Sequence, residues 1–126
     1  MRRLQLLVKV KNRRKTIGIT VDNLAQLSGV GTKTIMRFFA GDDVKLSTVE
    51  KITNTLGLDF AGNEMIDIET LKEQRAKQKA LYVVSLVQDT SALEIQGLES
   101  EDITNLLEET KNQFLIGAYK KSLWAS

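Results

Sequence analysis

The sequence predicts an all-α protein, and three observations carry that reading. The 126-residue chain contains no proline, so no position forbids helical backbone. It is rich in Leu, Lys, Glu, Ala and Gln, which lose little on entering a helix. Its apolar residues recur at three- and four-residue intervals, between glycines and capping side chains. At 42% hydrophobic it is too apolar to stay disordered, and its length suits one domain, or a small domain with an appendage.

The first helix is predicted over 3–16, with Leu4, Leu7, Val8 and the stem of Lys11 on its apolar face and Gly18 as its stop. Thr20 offers an oxygen to the free amides of a second helix, which carries Leu24, Ala25 and Leu27 and ends near Ser28-Gly29. A third begins after Gly31 and runs through Ile35, Met36, Phe38 and Phe39 to Gly41. Ser47-Thr48-Val49-Glu50 reads as a capping box that starts a fourth helix with Val49, Ile52, Thr53 and Leu56, closed by a left-handed Gly57. Residues 59–66, with Gly62-Asn63 as turn signal, read as a linker. Asp67 can cap a long helix from about Ile68 to Ile95 with Ala76, Ala80, Val83, Val84 and Val87 on one face, broken by Gly97. Ser100 can cap a last helix with Ile103, Leu106, Leu107, Thr110 and Phe114, ending at Gly117. The expected organisation is a domain over 1–58, a linker over 59–66 and a helical region over 67–126.

The composition excludes much chemistry. The chain has no cysteine and no histidine. It therefore has no disulfide, no thiolate nucleophile, no Cys-based metal site and no imidazole base. An enzyme would have to use paired carboxylates or a lysine in a pocket, and the acids here read as caps and solvated faces. No catalytic residue, metal site or cofactor is expected. The longest mostly apolar run, Ala80–Val87, is far short of the roughly 20 residues a bilayer needs. Met1-Arg2-Arg3-Leu4 resembles a secretory n-region, but Lys9, Lys11 and Arg13-Arg14-Lys15 interrupt any apolar segment behind it. A cytoplasmic location and no membrane partner are the expectation.

Charge is unevenly placed. Residues 1–58 hold eleven Lys/Arg against four acids, a balance of +7, and residues 59–126 hold seven against twelve, a balance of −5. A basic front half suits a polyanion, and an acidic back half suits a different task.

The most informative stretch is Val21-Asp22-Asn23-Leu24-Ala25-Gln26-Leu27-Ser28-Gly29-Val30-Gly31-Thr32-Lys33-Thr34-Ile35-Met36-Arg37-Phe38-Phe39-Ala40-Gly41. Ala25 is small where two helices would cross closely, and Gly29 suits the positive φ of a tight turn. Val30 plugs the corner, and Ile35 and Phe38 turn one stripe of the next helix inward. Thr32, Lys33, Met36 and Arg37 then project outward. This is the pattern of a helix-turn-helix, with Thr32–Phe39 as recognition helix.

The stretch resembles the phage-repressor (Cro/Xre) class of DNA-binding proteins. The likeness continues through Leu46-Ser47-Thr48-Val49-Glu50-Lys51-Ile52 and Leu56-Gly57-Leu58, covering about residues 3–58. It departs from the class at Ser28, usually apolar, and at Lys45-Leu46, where a proline is usual. The resemblance implies a four- to five-helix repressor-type domain. It also implies base reading by Thr32, Lys33, Met36 and Arg37. Arg37 or Lys33 would donate to guanine O6/N7, and Met36 would touch a thymine methyl. The plain alternatives are a solvated Lys33 and a Met36 that belongs to the core. Phosphate contacts would come from Thr20 and Val21 at the amino end of the second helix and from Arg13, Arg14 and Lys45, with Arg14 at a backbone-contacting position of the class. For the run Arg13-Arg14-Lys15 the alternative is a solvated helix end.

The stretch from Leu71-Lys72-Glu73-Gln74-Arg75-Ala76 through Thr90-Ser91-Ala92-Leu93-Glu94-Ile95-Gln96 to Leu123-Trp124 is similar to the C-terminal part of the mobile mystery protein A family. That family is commonly encoded beside Fic-type proteins, which implies an antitoxin role and a toxin partner. The acidic back half, with Glu99, Glu101, Asp102, Glu108 and Glu109, would then bind the toxin. On physical grounds the back half needs something to pack on. Two amphipathic helices cannot enclose a core alone. They would dock on residues 1–58, on a second copy or on another protein. The expected interface holds Val83, Val84, Val87, Leu107, Phe114 and Trp124. The combined expectation is a homodimeric, sequence-specific repressor on a palindromic double-stranded operator. The alternative is a helical adaptor that sequesters a protein and binds no DNA.

Overall fold

The computed structural model describes residues 3–89, 91–97 and 100–125, and the chain is all-helical there. The elements are α1 (Arg3–Ile17), α2 (Val21–Ser28), α3 (Thr32–Phe39), α4 (Leu46–Thr55), α5 (Ile68–Gln88), α6 (Ala92–Gly97) and α7 (Glu101–Leu115), then a 3-10 turn at Lys120–Ser122. Glu99, one of the expected toxin-binding acids, lies outside the described residues. The chain divides into two units, residues 1–71 and 72–125, with the boundary inside α5.

In the first unit, α2 packs on α3 and α4, and α1 packs on α3. The core is Leu7, Val10, Ile17, Ile19, Leu24, Val30, Ile35, Phe38, Val49, Ile52 and Leu56. The apolar face of α1 differs from the expected one. Leu7, Val10 and Ile17 are buried, whereas Leu4 and Val8 are exposed at 70% and 48%. The helical line through Leu4 and Val8 runs on into Lys11 and Lys15. The line through Leu7 and Val10 reaches Ile17 instead, so only it can stay buried along the whole helix.

Thr20 caps α2 as expected, its hydroxyl oxygen accepting the Asn23 amide at 3.0 Å. Gly29 then takes φ 72°, and its amide donates to Ala25 O at 3.0 Å. The expected capping box at Ser47–Glu50 does not form. α4 begins at Leu46 with Lys45 as N-cap, which puts Ser47 inside the first turn rather than before it.

The segment read as a linker is folded into the first unit. Arg13 does this. Its side chain is buried, and Nε donates to Leu56 O at 2.9 Å, Nη1 to Glu64 Oε1 at 2.7 Å and Nη2 to Ile66 O. Gly57, at φ 72°, leaves room for this clasp: a Cβ there would stand 3.1 Å from Arg13 Nη2. Leu58 and Glu64 form an isolated antiparallel bridge, and Asp59 ties the turn by accepting the amides of Ala61 and Asn63. Asp67 caps α5 as expected, accepting the Thr70 amide at 3.1 Å.

In the second unit, α5 stops at Gln88 rather than running on to Ile95, because Asp89 turns left-handed at φ 52° and Ser91 caps α6 through the Glu94 amide. Ala76, Ala80, Val84, Ile95, Phe114, Leu123 and Trp124 are buried. Arg75 fastens the tail, with Nε donating to Leu123 O at 2.9 Å and Nη2 to Ala125 O at 2.6 Å. Burial lowers its pKa, and burial followed by the Arg75 charge lowers that of Lys79. Lys79 Nζ lies 5.7 Å from the centroid of the Phe114 ring, and Phe114 packs on Tyr119 at 5.3 Å. Val84, Phe114 and Trp124, expected in an intermolecular interface, are therefore already buried inside the chain. Val83 and Leu107 are half-buried, and Val87 is exposed.

Candidate nucleic-acid interface

α3 has eight residues, so its rotation decides which side chains are available. Ile35 and Phe38 fix that rotation, being 0% and 3% exposed. At 100° per residue, Thr32, Lys33, Met36 and Arg37 then fall on the other side, and all four are exposed. Met36, for which core and surface roles were both open, is 56% exposed and belongs to the surface. The helix starts from Gly31 with no side-chain cap bond, and the left-handed Gly29 sets the chain's re-entry into it.

Arg37 leans towards the α3–α4 turn. Its Nε stands 3.8 Å from Asp42 Oδ2, and Nη2 donates to Asp43 O at 3.4 Å. Both contacts are long, and both side chains of the ion pair are more than half exposed, so the pair is weak and opens easily. The acids beside Arg37 are a feature that base-reading logic missed, although the adjacent Asp42-Asp43 stands in the sequence.

The five positions expected at phosphates fare differently. Thr20 is exposed; its oxygen accepts from Asn23, and its hydroxyl proton is still free to donate. Val21 opens α2 and is half-buried. Lys45 is exposed at the start of α4. Arg14 is half-buried and held: Nη1 donates to Ile19 O at 2.9 Å, and the guanidinium lies 6.0 Å from the Phe39 ring centroid. Its Nε is buried without a hydrogen bond. Arg13 is removed from the set, because all of its guanidinium nitrogens are turned into the protein by the clasp on Leu56, Glu64 and Ile66. One signal could have found it: Arg13 lies three residues after Val10 and four before Ile17, on the buried line of α1.

The unit boundary also changes the electrostatics. Over residues 1–71 the same eleven bases face eight acids, a balance of +3 rather than +7. Three of the added acids have structural tasks. Glu64 pairs with Arg13, Asp59 ties its turn, and Asp67 caps α5. The carboxyls of Asp59 and Asp67 lie below their ordinary range. The leading cause is the Asn63 amide for the first and the Thr70 side-chain hydrogen bond for the second. No protein family, curated protein or solved structure matches the chain.

Proposed function

We propose that this protein is a sequence-specific double-stranded DNA-binding regulator, acting as a homodimer on a palindromic site and reading bases with α3. The observation that supports the reading is the two-sidedness of α3: Ile35 and Phe38 buried, Thr32, Lys33, Met36 and Arg37 exposed. A helix held this way can enter a major groove with donors at its tip. Lys33 and Arg37 can donate hydrogen bonds to guanine O6/N7, and Met36 can make an apolar contact with a thymine methyl. Thr20 and Lys45 would contact phosphates, which positions the helix without reading sequence.

The test is fluorescence anisotropy with a labelled random-sequence duplex, followed by selection from duplexes with a randomised core. Each neutralised phosphate contributes a salt slope of about 0.9, so two or more predict at least about tenfold weaker binding between about 50 and 200 mM salt. Arg37→Ala on the selected sequence should cost about 1–3 kcal/mol and relax discrimination at one base pair, whereas Lys45→Ala should weaken all sequences alike. Absence of binding even at low salt would remove this reading in favour of the helical adaptor. Among the described residues no helix is long and apolar enough to cross a membrane.

A further inference from the structure

We propose that the cleft between α5 and α7, inside the second unit, is a binding site for a small organic anion: a carboxylate carried on a single ring or a short chain. The proposal goes beyond the DNA-binding reading and does not rest on it.

One face of each helix lines the cleft. On α5, Lys77, Ala80 and Leu81 stand at positions i, i+3 and i+4. On α7, Leu107, Glu108 and Lys111 stand at i, i+1 and i+4. Both sets belong to the same compact unit. The floor is apolar: Ala80 is buried, and Leu81 and Leu107 are half-buried. With only a methyl at Ala80, α5 does not fill the space in front of it. The cleft holds about 260 Å³. That is below the roughly 300–1,000 Å³ of sites for drug-sized ligands, so its occupant is one ring or a short chain.

The head group follows from the polar side chains. Lys77 is exposed and makes no ion pair among the described residues. Lys111 is paired with Glu108, its Nζ 3.1 Å from Oε2 and donating to Oε1 at 3.3 Å. The Glu108 side chain is 60% exposed, so this pair is weak, and an incoming carboxylate can take its place on Lys111 at little cost. The Thr104 hydroxyl, also at the cleft, already donates to Ser100 O at 3.1 Å. The donors left for a ligand are therefore two ammonium groups from facing helices. Two lysines against one glutamate leave the cleft with a charge of +1. An anion is favoured there over a cation or a neutral amide, and the leucine floor requires that the anion carry a hydrocarbon body.

The experiment follows the leucine methyl signals of the full chain by NMR, without DNA, as phenylacetate, phenylacetamide or inorganic phosphate is added. Phenylacetate should shift the methyls of Leu81 and Leu107 and saturate with a dissociation constant of about 0.1–1 mM, the range open to a ligand of about ten non-hydrogen atoms. Phenylacetamide keeps the shape without the charge and should bind at least about threefold more weakly. Phosphate, with no apolar body, should leave these methyls where they are. Lys77→Met, at an exposed position, should weaken phenylacetate about threefold or more and leave the amide unchanged. Glu108→Gln frees Lys111 and should tighten phenylacetate about threefold. The proposal is overturned by the lack of a saturable shift below about 10 mM phenylacetate. It is equally overturned by an amide that binds as well as the acid, or by the two variants binding phenylacetate as the parent does. Because no DNA is present, failure here leaves the proposed function standing, and loss of DNA binding leaves this site standing.

Discussion

Replacing Arg13 with methionine separates a structural from a DNA-contacting role. Methionine keeps the aliphatic stem and removes the guanidinium, and with it the donors to Leu56 O, Glu64 and Ile66 O. Glu64 is half exposed and rehydrates at little cost, and Ile66 is only partly covered. Leu56 is 1% exposed, so its carbonyl loses a partner that water replaces poorly. A hydrogen bond to a charged group contributes about 1.5–3 kcal/mol, and an orphaned buried acceptor costs about 1–3. Against these losses, the cost of burying the guanidinium disappears. The net expectation is a loss of about 2–4 kcal/mol. In a unit of this size each kcal/mol moves the midpoint by about 4–8 °C, so the fall should be about 8–32 °C. Thermal and urea unfolding followed by far-UV circular dichroism would measure it. Arg14→Met, which removes the hydrogen bond to Ile19 O and a ring contact, should cost less. A loss under about 1 kcal/mol with a clear drop in DNA affinity would refute the clasp and return Arg13 to the phosphate contacts.

Gly57→Ala should destabilise more than Gly29→Ala. Both residues are left-handed, at a cost of about 1–2 kcal/mol for alanine, but a Cβ at Gly29 meets open space while one at Gly57 meets Arg13 and Ile66; the two unfolding midpoints measure the difference. Arg75→Leu should release the tail and shift the emission of Trp124, the one tryptophan, to longer wavelength; an unchanged spectrum would mean that the carbonyl contacts do not hold it. Acid should weaken the fold. Asp59 and Asp67 are more acidic folded than unfolded, so their stabilisation is complete above the ordinary carboxyl value of 3.8 and is lost as pH falls through their lowered values. Replacing Asp67 with asparagine should flatten that decline in a pH series of urea midpoints.

What was legible in the sequence was local. Gly18, Gly29 and Gly57 sit where left-handed backbone ends helices, and Thr20 and Asp67 cap the helices assigned to them. These features depend on a few neighbouring atoms, so residue type nearly decides them. Ser47–Glu50 shows the limit, since the same four letters work as a box only if the helix begins after Ser47, and it begins at Leu46. The choice of face on α1 was not legible. Both lines offered apolar residues, and the packing of distant elements chose between them. The long-range clasps of Arg13 and Arg75, with partners more than forty residues away, leave no local trace except a cation on a buried line.

For the candidate site, the sequence orders α3 correctly because amphipathicity sets rotation: once Ile35 and Phe38 are inside, the other four positions have no alternative. Charge was the weaker guide. A sum over residues 1–58 treats every cation as available, yet Arg13 is internal, Arg14 is pinned against Phe39 and Arg37 leans on Asp42. The cations left exposed and unclaimed by such contacts include Lys33 on α3 and Lys45 at the start of α4. An affinity for DNA would therefore rest on where few charges stand rather than on how many the segment contains, and a modest salt slope from few phosphates is the form it should take.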